Sequence, residues 1–137
     1  MIKNLLKISK YFALPIVIYL FAWVFYFLGF FDSVFWFDDI FHIIGGFVIG
    51  CTYFFVLSYF ELKGELRLNK FSRFLFVVSL VMLTAVLYEF YEFFLTLLTN
   101  IPTQPSLEDT LFDLFLGLFG GFLSFFALEF KEYIESK

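Results

Sequence analysis

Three short motifs carry what chemistry this sequence can offer: Asp39-x-x-His42, Glu89-x-x-Glu92 and Asp109-x-x-x-Asp113. Spacings of three and four put both members of each pair on one face of a helix. Together they supply five carboxylates and one imidazole, a ligand set suited to one or two divalent ions. Oxygen-rich ligation with a single His favours Zn, Mn or Fe, and suits Mg or Ca less well. Acids and His projecting from helices into a bundle core follow the logic of carboxylate-bridged dimetal bundles.

The elements that must position these motifs are membrane spans. The chain has 137 residues, of which 62% are hydrophobic, 26% aromatic and only 16% charged, with a mean hydropathy of +0.92. Soluble domains carry about 25% charged residues, so an ordinary globular protein is excluded, as are a disordered tail, a disulfide scaffold and a nucleic-acid binder. A single Cys51 can form no internal disulfide; it lies deeper than the acids and reads as a small apolar filler. A spanning helix needs about 20 apolar residues. Four stretches qualify, at about 11–31, 39–60, 74–99 and 110–130, and they predict one all-α domain over residues 1–137, an integral membrane four-helix bundle. Residues 1–10, with Lys3, Lys7 and Lys10, are expected to form a short amphipathic surface segment and not a cleavable signal.

All nine basic residues fall before the first span, between the second and third, or after the fourth. The positive-inside rule therefore places both termini in the cytoplasm and the motifs toward the outside.

Small and polar residues recur at helical spacing as one stripe per span. They run Pro15, Tyr19, Ala22, Tyr26, Gly29 and Ser33; Asp39, His42, Gly46, Gly50 and Tyr53; Ala85, Glu89, Glu92, Thr96 and Thr99; then Asp109, Asp113, Gly117, Gly120, Ser124 and Ala127. Such stripes let membrane helices approach closely, and predict a compact left-handed bundle with Phe, Leu, Ile and Val facing lipid. Gly46-x-x-x-Gly50 and Gly117-x-x-x-Gly121 are short contact motifs, weak when taken alone. Trp23, Trp36 and Tyr11 are expected at lipid or interface; Tyr88 and Tyr91 flank the Glu pair and could donate hydrogen bonds to it, with interfacial packing the first expectation. Asp38 reads as the N-cap of the second span, and Ser106-x-x-Asp109 as a capping box with Asp in place of Glu.

By depth, all six motif residues share the outer part of the bundle, Glu92 lying about 12 Å from the end of its span at the helical rise. One carboxylate within a span costs about 2.5–3.5 kcal/mol, and several together repel in a low dielectric. With no basic partner on that side, they must take up cations or protons. A lone acid in a span is as readily a hydrogen-bonded packing residue. Six ionisable groups at one level of three helices point instead to a functional site.

The order Phe37-Asp38-Asp39-Ile40-Phe41-His42 with Gly45-Gly46, then Tyr88-Glu89-Phe90-Tyr91-Glu92, then Glu108-Asp109-Thr110-Leu111-Phe112-Asp113 before Gly117–Gly121, resembles the YjdF-like inner-membrane family. It is more loosely similar to the VanZ-like membrane proteins. The resemblance covers roughly residues 36–121, implies a multi-pass protein of a prokaryotic inner membrane, and singles out the same six residues. Phe93 stands where a Trp is expected after the second Glu. The family lends no reaction.

Three functions fit these residues. A metal-dependent membrane enzyme would polarise a carbonyl or phosphoryl oxygen and use a spare Glu as base. A cation or proton carrier would use the same cluster as its ion site, and with four helices would require a homo-oligomer. A structural or regulatory subunit would use it as a metal staple. The expected partners are membrane lipids and, for transport, further copies of the chain; no nucleic acid is expected. The site lies off the midplane, where transporters tend to bind, and an open coordination position would favour an enzyme over a staple.

Overall fold

The computed structural model describes residues 7–34, 36–100, 103–104 and 106–137, without the side chains of residues 31 and 32. Four helices are long and apolar enough to cross a membrane: Ser9–Phe27, Phe37–Leu62, Lys70–Thr99 and Leu107–Glu135. No strand occurs among the described residues. The segment expected at 1–10 lies mostly outside them.

The helix ends follow local chemistry. The first span begins with a 3-10 turn, Ser9–Phe12, and ends at Phe27 rather than residue 31, because Gly29 takes the left-handed conformation with φ 75°. A one-turn helix, Phe30–Ser33, follows. The second span starts at Phe37, so Asp38 lies inside its first turn, and its N-cap Trp36 makes no side-chain cap bond. Asp38 is therefore not the cap, and its carboxylate is free for other partners. Asn69 and Ser106 do cap, accepting from the backbone N–H of Ser72 at 2.8 Å and of Asp109 at 3.1 Å.

The tightest packing joins the second and fourth spans, which run parallel along a glycine seam. A Cβ at Gly46 would strike the Gly117 carbonyl, and one at Gly120 would strike the Ile43 carbonyl. Gly50 abuts Ser124 and Gly121. Close backbone approach of this kind is how apolar helices associate without water to exclude. The third span runs antiparallel to both, with Val81 against Gly121 and Ala85 against Gly117.

At the end that carries the basic residues, Phe54, Leu57, Val77, Val81 and Phe125 form an apolar core. Arg73 closes it, over the Phe54 ring at 5.1 Å. Its guanidinium donates to Glu61 at 2.7 Å, Glu132 at 3.1 Å and Glu129 at 3.3 Å. This ion cluster ties three spans together.

The first span is different. It buries no residue and leans on the second, with Thr52 donating to the Tyr11 carbonyl at 3.0 Å. Its predicted stripe of Pro15, Tyr19, Ala22 and Tyr26 faces inward onto a cavity, not onto a packed helix. Ser33 falls beyond the span and is exposed, as are Thr99 and Ala127 of the other stripes.

Candidate metal centre and its cavity

His42 is the hub. One turn into the second span, its Nε2 lies 3.5 Å from Asp38 Oδ1 on its own helix and 3.6 Å from Asp113 Oδ1 on the fourth. The parallel glycine seam fixes that second distance, because Gly46 on Gly117 sets the register one turn further along both helices. Two groups of three ligand atoms result, Asp38–His42–Asp113 and His42–Glu89–Glu92, each with its atoms within 4.8 Å of one another. They share the imidazole and draw on three spans.

Burial grades the acids. Asp113 and Glu89 are only 3% and 6% exposed, shielded by the seam and by the loop before the fourth span. That loop is pinned over the site. Thr103 donates from its backbone N–H to Thr96 Oγ1 at 3.1 Å and from its hydroxyl to the Glu92 carbonyl at 3.0 Å. Gln104 then reaches inward, its Nε2 donating to Glu89 Oε2 at 3.3 Å and to Thr110 Oγ1 at 2.7 Å. A buried carboxylate thus has an amide partner that leaves its second oxygen available to a ligand.

Of the six residues selected by depth and spacing, the fold brings His42, Glu89, Glu92 and Asp113 within ligand reach. Asp39 and Asp109 are half-buried and line the cavity beside the cluster, outside both three-atom groups. Asp38 takes a place in the cluster that sequence reasoning had given to a helix cap. The signal was present, since Asp38 and His42 are four apart on one helix. Gln104 had no such signal; only the fold of its loop aims it at Glu89. Tyr88 takes the second of its two expected roles, hydrogen-bonded to Glu92 and edge-on to His42 with ring centroids 5.9 Å apart.

In front of the cluster lies a cavity of about 690 Å³ between the first, second and third spans. His42, Asp38 and Glu92 belong to its wall, so the cluster has one open side. Trp23, expected at lipid, lines it as well. Cys51 is half-buried and belongs to neither ligand group.

A family model described as predicted membrane protein (DUF2238) matches residues 1–132. No curated protein and no solved structure matches the chain.

Proposed function

We propose, for a chain that belongs to the DUF2238 family of predicted membrane proteins, that the His42-centred cluster binds a divalent metal ion and serves a membrane-embedded enzyme. The observation that carries this reading is the pair of three-ligand groups sharing His42, open on one side to the cavity. The donor set is oxygen-rich with one imidazole, which fits Zn, Mn or Fe ahead of Mg or Ca. Carboxylates at this depth, with no Lys or Arg in the cavity wall, gain most from a cation that replaces their lost hydration.

A metal held here would act as a Lewis acid toward a carbonyl or phosphoryl oxygen entering from the cavity. The chain's own groups divide the remaining work. Glu89 and Asp113, the most buried, would hold the ion, and Gln104 and Thr110 would fix the Glu89 carboxylate. Asp39 and Asp109 line the cavity outside the ligand groups and would be the chain's carboxylates for general-base work there. A closed shell of protein ligands would support a staple; the open face toward a cavity supports catalysis.

The distribution of basic residues supports cytoplasmic termini, with the cluster toward the outer leaflet. The resemblance to the YjdF-like family supports a prokaryotic inner membrane. Elemental analysis of purified protein tests the reading. Wild type is expected to carry about one or two divalent ions per chain, as bundle carboxylate sites do, and His42→Ala to carry almost none. A metal-free wild type after supply of Zn, Mn and Fe would overturn it.

A further inference from the structure

We propose that the cavity binds a lipid-like amphiphile with a cationic ammonium head, its chain along the apolar floor and its head among Tyr19, Trp23, Tyr88 and Tyr91 beside the carboxylates. The inference rests on the cavity and does not require the metal ion.

Size and polarity come first. A volume of about 690 Å³ lies in the range of small-molecule sites, about 300–1,000 Å³. The wall changes character along its length. Ile18, Val48, Ile49 and Val81 line the deeper part; Asp38, Asp39, Glu92 and Asp109 line the part toward the cluster. Apolar at one end and charged at the other, the space matches an amphiphile better than a compact polar solute.

Gly45 is the second observation. It lines the cavity, and a Cβ built on it would meet nothing within 4 Å. Within a helix glycine costs about 1 kcal/mol relative to alanine. Unlike Gly46, Gly45 has no close neighbour to account for that cost. What it does is keep the cavity open.

Charge then selects the head. Among the described residues the cavity wall contains four carboxylates and no Lys or Arg. Seven carboxylates in all (Asp38, Asp39, Glu89, Glu92, Glu108, Asp109 and Asp113) stand at this end of the second, third and fourth spans, so one or two divalent ions leave it negative. An anionic head would meet that field as repulsion, a cationic head as attraction. The aromatic wall acts in the same direction. Trp23 and Tyr19 meet edge-on at 6.5 Å, and Tyr19 meets Tyr88 and Tyr91 at 6.3 and 6.2 Å, a continuous run of rings bordering the acids. Ring faces attract ammonium groups, and more strongly where water is scarce.

The bilayer supplies the route. The first and third spans do not pack closely; across their gap Tyr91 meets Tyr19 in a hydrogen bond of 3.0 Å and also contacts Trp23. Tyr19 and Tyr91 are 36% and 37% exposed on the flank of the bundle. Rotation of two phenols opens a lateral entrance for a molecule already dissolved in the membrane.

The test uses the full chain in maltoside micelles, whose heads carry no ammonium, and labelled decyltrimethylammonium, with empty micelles subtracted. Saturable binding is expected, displaced poorly by decyl sulfate and by decanol. Gly45→Leu fills the cavity from a position with free space, and should weaken binding by about tenfold or more while melting no earlier than wild type. Glu92→Gln keeps size and removes charge, and should weaken it as well; Phe115→Leu, on the lipid face, should not. Displacement by decyl sulfate or decanol as effective as by the ammonium would overturn the cationic head. Full binding by folded Gly45→Leu would overturn the cavity as the site; if that variant fails to fold, full binding by Glu92→Gln overturns the proposal instead. Metal content of the same samples separates the two readings. Metal-free protein that binds the ammonium removes the metal centre alone, and metal-loaded protein that does not bind it removes the amphiphile alone.

Discussion

Residue by residue, the acid–His cluster divides into groups that could hold an ion and groups that place them. His42 belongs to both three-ligand groups, so its loss should be the most damaging single change to metal binding. Asp109 belongs to neither, and Asp109→Asn is expected to keep metal content near wild type by elemental analysis while His42→Ala abolishes it. Gln104 contributes no metal ligand but holds the Glu89 carboxylate and bridges it to Thr110. Removing such an outer-shell partner costs about 10–100-fold in metal affinity. Gln104→Ala should therefore retain the ion but release it at lower chelator concentration, toward the lower end of that range because its bond to Glu89 is long. Equal chelator sensitivity in the two proteins would show that Glu89 needs no such support.

Among the helices, two devices hold the bundle, one at each end. The glycine seam joins the second and fourth spans where the site is built, and it discriminates between glycines. A methyl at Gly46 must displace the Gly117 backbone, whereas one at Gly117 meets the Ala85 methyl at an ordinary 3.6 Å. Gly46→Ala should thus lose about 1–3 kcal/mol by overpacking and also loosen the His42–Asp113 approach. Gly117→Ala should be tolerated, and Gly45→Ala neutral or stabilising; thermal unfolding in a mild detergent ranks the three. At the other end Arg73 neutralises Glu61, Glu129 and Glu132 from a half-buried position. Arg73→Met keeps the stem but leaves three acids facing one another. About 3 kcal/mol is the scale for breaking a buried pair, and partial exposure lowers it here. Thermal unfolding in the same detergent checks the loss against wild type.

For the whole molecule, the division of labour is asymmetric. Second, third and fourth spans form the packed unit, with an apolar core at the basic end and the acid–His cluster at the other. The first span closes one side of the cavity without burying a residue. The proposed orientation rests on the distribution of basic residues. A reporter active only in the cytoplasm should give signal when fused after Lys137 and none when placed at Thr103; the reverse pattern would invert the topology and put the cluster near the inner leaflet.

Much of this was fixed along the chain. Apolar run length and the placement of nine basic residues required four helices, because lipid tolerates no unpaired backbone and the runs are long enough to span. Helical spacing alone placed Glu89, Glu92 and Asp113 on inward faces, since a face is a one-dimensional property of a helix. Three things were decided only by packing. Asp38 joined the cluster because the second span begins at Phe37, two residues earlier than its apolar run suggests, and because the fourth span brings Asp113 against His42. Gln104 reached Glu89 because a loop folded back on its own hydrogen bonds. The first span's stripe met open space because the tight glycine seam draws the second and fourth spans together and leaves its own residues no such seam. Periodicity states which side of a helix is polar; how near another helix comes to that side depends on every other contact in the bundle.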